Sequence, residues 1–156
     1  LPERKTEARL RFRRAPGKGM SKHETPMTRW YWRTVNKRKG LLIEEFAAVK
    51  KDRSNGKNKR HIDGVIVLGL EAGRRGPQKG DRELVAGKQV IVIQSKARRL
   101  GMGLIGQVVV SSKLLEGLGA DVIKSVGVCK EDDKVLHEVL KTFDKCGAIV
   151  YRRGKK

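Results

Sequence analysis

Cysteine, aromatic residues and long apolar runs are scarce in this chain. No run approaches the roughly 20 apolar residues that a bilayer-spanning helix needs. No stretch has the layout of a signal peptide either, so the expectation is a soluble, cytoplasmic protein. The two cysteines, Cys129 and Cys146, form no CxxC pair, and His23, His61 and His137 are scattered. Zinc-ligand spacings are therefore missing, and buried free thiols in a reducing compartment are expected. GRRGPQKG lacks the GxxxxGK[ST] pattern and does not stand between a strand and a helix, which excludes a phosphate loop. No internal repeat is present.

What the chain has in excess is positive charge: 37 Lys/Arg against 17 Asp/Glu, a net +20 over 156 residues. Residues 1–60 hold 19 basic against 6 acidic side chains, and residues 61–156 hold 18 against 11. That is more than solubility requires. Such a field favours polyanions, nucleic acid first because each neutralised phosphate releases counterions, and a membrane surface second. In residues 1–22, Arg9, Arg11, Arg13 and Arg14 alternate with apolar residues without building a hydrophobic face. This predicts a flexible basic arm lying along phosphates, followed by a single domain over 23–153. Met20, after a glycine-rich break, is a candidate start for a shorter product.

The domain opens at ETPMTRWYWRTV, where Thr25 is an N-cap candidate, Pro26 suits the first helical position and Trp30, Tyr31 and Trp32 are expected in the core. LLIEEFAAVKK reads as a strand. Asn55-Gly56 then marks a hairpin turn into HIDGVIVLGL, a second strand. EAGRRGPQKGDRELVAG is expected to be a loop. KQVIVIQSKA, apolar on both sides, should be a central third strand. From Arg98 to Leu118, Leu100, Leu104, Val108 and Leu115 trace one helical face, ended by GLGA. DVIKSVGVCK is a fourth strand, EDDKVLHEVLKTFDKCG an amphipathic helix with acids in its first turn, and AIVYRR a fifth strand. The order predicts an α/β fold with a mixed central sheet of about five strands flanked by helices.

Chemistry concentrates at the end of the third strand. Gln94 and Lys96, at i and i+2, project from one face, and Asp63 on the hairpin-linked second strand can lie beside them. Glu44 and Glu45 should point to opposite faces, so at most one joins a site. A carboxylate with a neighbouring carbonyl oxygen can hold Mg²⁺ or Mn²⁺, and a lysine can orient water or offset developing charge. Gln94 brings only a neutral amide oxygen, a weaker ligand than a carboxylate.

IDGVIVL, VIVIQSKA and GLIGQVVVSSKLL, in the order helix, three strands, helix, strand, resemble the PD-(D/E)XK nuclease superfamily over roughly residues 24–152. That superfamily includes restriction enzymes, Holliday-junction resolvases and RecB-type nucleases. The resemblance implies a restriction-endonuclease-like fold and metal-dependent endonuclease hydrolysis of DNA phosphodiesters with Mg²⁺ or Mn²⁺. It makes Asp63 the main metal ligand, Gln94 the substitute second ligand, Lys96 the catalytic lysine and Gln107 a helix residue facing the site. A further acid would come from Glu24, with Glu45 as the geometric alternative. Arg98, Arg99, Arg74, Arg75 and Lys79, with Arg13 and Arg14 of the arm, would grip the backbone. DNA is the expected partner, with RNA and homodimerisation left open and no membrane. Two alternatives stand beside it: a non-catalytic nucleic-acid-binding module on the same fold, and a basic structural component of a ribonucleoprotein.

Overall fold

The structure, a computed structural model, describes residues 23–52, 54, 56 and 59–153. The basic arm with Arg13 and Arg14, Met20 and the turn residue Asn55 lie outside the described residues. The fold grows from Val90, Ile91, Val92 and Ile93, four successive β-branched residues that are all buried. Such a run suits a strand covered on both faces. It forms the middle of β4 (Gln89–Arg99). Ile91 and Ile93 pack with Met27, Trp30 and Tyr31, whereas Val90 and Val92 pack with Leu115. Alternate residues therefore serve two layers, each buried aliphatic side chain contributing about 1.5–3 kcal/mol.

The first layer is α1 (Glu24–Trp30), which continues as a π-helical turn over Tyr31–Val35. The opposite face carries α3 (Met102–Gly117). Beside it, α4 (Lys134–Lys141) packs through Leu140 against Leu104, Val108 and Cys129. The remaining strands are β1 (Leu41–Val49), β2 (Arg60–Val67), β3 (Gly73–Arg75), β5 (Asp121–Glu131) and β6 (Cys146–Val150), and a short α2 covers Asp81–Leu84. The sheet order is β3-β1-β2-β4-β5-β6. β1 with β2 and β2 with β4 are antiparallel, while β1 with β3, β4 with β5 and β5 with β6 are parallel. The chain is thus a mixed α/β protein built on a central sheet, as the element order predicted, with six strands where about five were expected. Cys129 and Cys146 are free thiols, the first buried and the second half-buried. Among the described residues, no helix is long and apolar enough to cross a membrane.

Several boundaries differ from the expectation for identifiable reasons. The segment expected to be a loop supplies both β3 and α2. Gly-Arg-Arg has no alternation to reveal a strand, and what seats it is a pairing with Leu41–Ile43 together with an Arg75 to Asp81 ion pair at 2.7 Å. The Asp81 carboxylate also accepts from the Gln78 N–H. The stretch from Arg98 to Leu100 belongs to the strand and its exit rather than to α3. β5 goes on pairing with it as far as Arg99, and the Leu100 N–H donates to the Glu131 carbonyl at 2.8 Å. Leu100 shares a core cluster with Leu104 and Val108, so the apolar spacing was real while the element was not. At α1 the N-cap is His23 rather than Thr25, which lies in the first turn with its Oγ1 buried and unbonded among the described residues. Pro26 remains harmless there, because first-turn N–H groups have no intrahelical partner. The acids expected in the first turn of α4 precede it, and Asp133 caps the helix by accepting from the Leu136 N–H.

Gly64 sets how closely α1 approaches the sheet. A Cβ at this position would stand 2.7 Å from Thr28 Cγ2 and 3.0 Å from Leu42 Cδ1. Gly64→Ala should therefore lift α1 from β2 and lower stability by about 1–3 kcal/mol, the usual range for overpacking. Denaturant unfolding of the two proteins checks this; an unchanged midpoint would show that the helix seat tolerates the methyl group.

Candidate functional site

The site begins where a ladder stops. β2 and β4 pair from Val67↔Val90 to Gly64↔Ile93, yet β2 reaches back to Arg60 and β4 runs on to Arg99. Backbone groups at such a fork lose their ladder partners and need replacements. Side chains provide them. The Ser95 N–H donates to Asp63 Oδ2 at 2.8 Å, and the Asp63 N–H points at Gln94 Oε1 at 3.5 Å, a long and weak contact.

Two helices hold the fork from opposite sides. Gln94 Nε2 donates to Ser111 Oγ on α3 at 2.7 Å, which leaves the amide oxygen on the Asp63 side. On α1, Thr28 Oγ1 and Ser95 Oγ lie 2.8 Å apart, and Glu24 Oε2 accepts from the Ala97 N–H at 3.3 Å. Asp63, Gln94 and Glu24, separated widely in sequence, are thus joined through Gln94, Ser95 and Ala97 of β4. Lys96, between them, is exposed.

Burial raises the Asp63 carboxyl from the ordinary 3.8 to about 7. The fields of Glu24 and Glu45 push in the same direction, against the Ser95 N–H and Lys96. A chain of net charge +20 has therefore placed two further carboxyl groups, and one lysine, within electrostatic reach of Asp63. His61, two residues before Asp63, also feels Glu45, but burial and Lys59 win and lower its pKa.

Glu45 is placed by unusual backbone. It has φ +51°, in the left-handed region that non-glycine residues seldom occupy. Across it the packing phase of β1 changes: Leu42 and Ile43 belong to different core clusters, as alternation demands, but Ile43 and Phe46 share one. Simple alternation therefore cannot assign faces to the Glu44-Glu45 pair. Glu44 is fully buried and taken up by Arg29, at 2.7 and 3.2 Å, and by Arg74 at 3.6 Å. A buried charge needs such partners.

The other sequence-derived residues divide. Arg75 is paired with Asp81, and Arg99 with Glu131 at 3.1 Å and Asp133 at 3.5 Å, while Arg98 and Lys79 are exposed. Gln107 is exposed on α3; Ser111, one turn later, makes the contact with Gln94. Ser111, Ser95, Thr28 and Gly64 are positioning residues that motif reading passed over. For Gly64 and Ser95 a signal existed, since one follows the Asp and the other is the middle of QSK. Thr28 and Ser111 have none, because each is identified only by what it meets across the sheet.

The donors at the fork are all oxygens: the Asp63 carboxyl, the Gln94 amide oxygen and the nearby Glu24 and Glu45. That chemistry suits Mg²⁺ or Mn²⁺ rather than a soft metal. Among the described residues, no three or more His, Cys, Asp or Glu already stand close enough to hold a metal ion as a group.

A group whose pKa rises on folding contributes its stability when protonated, here below pH 3.8, and loses it as pH climbs toward about 7. Asn at position 63 keeps an acceptor for Ser95 and cannot ionise. Asp63→Asn should therefore gain stability over the parent protein steadily from pH 4 to pH 7 and hold that advantage above. The gain is on the order of 4 kcal/mol at most, from 1.36 kcal/mol per unit. Urea unfolding across this range in chelator checks it, and parallel curves at every pH would remove Asp63 as the titrating group.

No protein-family model, curated protein or solved structure matches the chain, so the reading of the fork rests on its own residues.

Proposed function

We propose that the chain is a metal-dependent deoxyribonuclease of the PD-(D/E)XK kind, hydrolysing DNA phosphodiesters at the fork between β2 and β4. The observation that carries this is Asp63: a buried carboxyl with two further carboxyls in its field and a lysine beside it, inside a strongly basic chain. Folding gains nothing from that crowding, which a divalent cation would relieve.

Asp63 and the oxygen of Gln94, with Glu24 or Glu45, are the residues that would hold Mg²⁺ or Mn²⁺. When bound, such an ion polarises a phosphate and lowers the pKa of a coordinated water. The chain's own groups do the rest. Ser111 holds the Gln94 amide with its oxygen toward Asp63. The links from Thr28 to Ser95 and from Ser95 to Asp63 restrain the carboxyl. Lys96, exposed at the rim, is free to meet a phosphate oxygen or orient the attacking water. The basic surface draws DNA toward the fork.

A non-catalytic nucleic-acid-binding module is the second reading, favoured by Gln94 standing where the motif has an acid. It predicts salt-sensitive binding without cleavage in any divalent metal. Under the nuclease reading, purified protein nicks plasmid DNA in Mg²⁺ or Mn²⁺. Asp63→Ala and Lys96→Ala each lower the rate by roughly 10²-fold or more. Both variants retain DNA binding in chelator. Cleavage that survives both substitutions unchanged would place the chemistry elsewhere.

A further inference from the structure

A second feature of the α3 face lies outside the fork. The end of β1 and the residues after it, together with α2 and the C-terminal half of α3, enclose a cleft of about 790 Å³. Its floor is apolar, with Ala48, Val49, Leu114 and Leu118. Among the described residues its rim holds the cations Lys50, Lys51, Arg82 and Lys113 and the carboxylate of Asp52. Among the described residues, no ion pair engages Lys50, Lys51 or Arg82, and the pair of Lys113 with Glu116 joins two exposed groups, an arrangement worth little. This contrasts with Arg75, whose charge is taken by the buried carboxylate of Asp81.

We infer that this cleft binds an unpaired nucleotide of the substrate strand, with phosphates against the cationic rim and sugar and base over the apolar floor. The inference rests on the nucleic-acid reading above and gives it a substrate class. A volume of this order suits a small organic group. An apolar floor below a ring of cations matches a unit that is anionic at one end and flat and apolar at the other. In a duplex the base is already paired and stacked, so only unpaired strand can use the floor. The cleft also lies within reach of the fork. Glu45 and Val49 are four residues apart on β1, about 13 Å at the usual strand rise. On α3, Ser111, which holds Gln94, is within one turn of Leu114. A strand passing Lys96 would therefore enter the cleft within a few nucleotides.

The test compares binding of a short labelled oligothymidylate with that of a blunt duplex of equal length, by fluorescence anisotropy in chelator, where no hydrolysis intervenes. The parent protein should bind the single strand more tightly. Lys51→Glu with Arg82→Glu should weaken single-strand binding roughly tenfold more than the control pair Lys37→Glu with Lys39→Glu, which changes net charge equally on a distant loop. The two pairs should affect the duplex alike. Leu114→Ser, which alters the floor without changing charge, should also reduce the single-strand preference, with unfolding midpoints verifying that every variant is folded. Equal losses from both charge-reversed pairs on both probes, or no single-strand preference in the parent, would overturn the cleft assignment. Neither result would touch the nuclease reading, which stands or falls on Asp63 and Lys96. A cleft effect seen in a protein that no metal renders active would uphold the cleft and identify a binding module.

Discussion

Everything around the candidate site follows from the parting of β2 and β4 after Gly64 and Ile93. Two strands that separate expose backbone donors and acceptors to the interior, and a protein must either fill the gap with water or close it with side chains. Here the closure uses an aspartate and a glutamine. Asp63 substitutes for a ladder carbonyl by accepting from Ser95, and that location removes its carboxyl from water and drives its proton affinity up. The same geometry that repairs the sheet thus creates its most perturbed acid.

One dipeptide ties the layers together. Because neighbours on a strand face opposite ways, Gln94 reaches Ser111 on one helix while Ser95 reaches Thr28 on the other. The fork is held between α1 and α3 rather than hung from a loop, a rigid support of the kind that precise chemistry needs. Gly64 belongs to the same arrangement, since its missing side chain is what lets Thr28 come near enough.

Where residues act through their own pattern, the sequence was readable. Val90 to Ile93 announced a central strand, and the positions of Asp63 and Gln94 on adjacent strands followed from the hairpin order. Where an element depends on a distant partner, it was not. β3 is three residues held by β1 and by an arginine-aspartate pair, and nothing in Gly-Arg-Arg taken alone says strand. The Arg98 to Leu100 stretch carries helical spacing but stays extended because β5 continues to offer hydrogen-bond partners. Glu45 shows the same limit at the site: alternation predicts its face only if the backbone is regular, and a positive φ breaks that premise. Nor could the sequence show that Arg75 stands against the buried Asp81, or that Arg99 stays exposed beside an exposed Glu131, because tertiary structure brings those acids to them.

The two borders of the sheet are treated differently, with consequences for self-association. At one border stands β3, only three residues long and carrying two arginines, one of them reaching across to Glu44. Short length and charge are what discourage another strand from docking. At the other border stands β6, Cys-Gly-Ala-Ile-Val, uncharged and half-buried along its length. Growth of the sheet by a further chain is therefore opposed at β3, whereas among the described residues β6 itself carries no charge to oppose it, so strand addition to the folded protein would favour the β6 side.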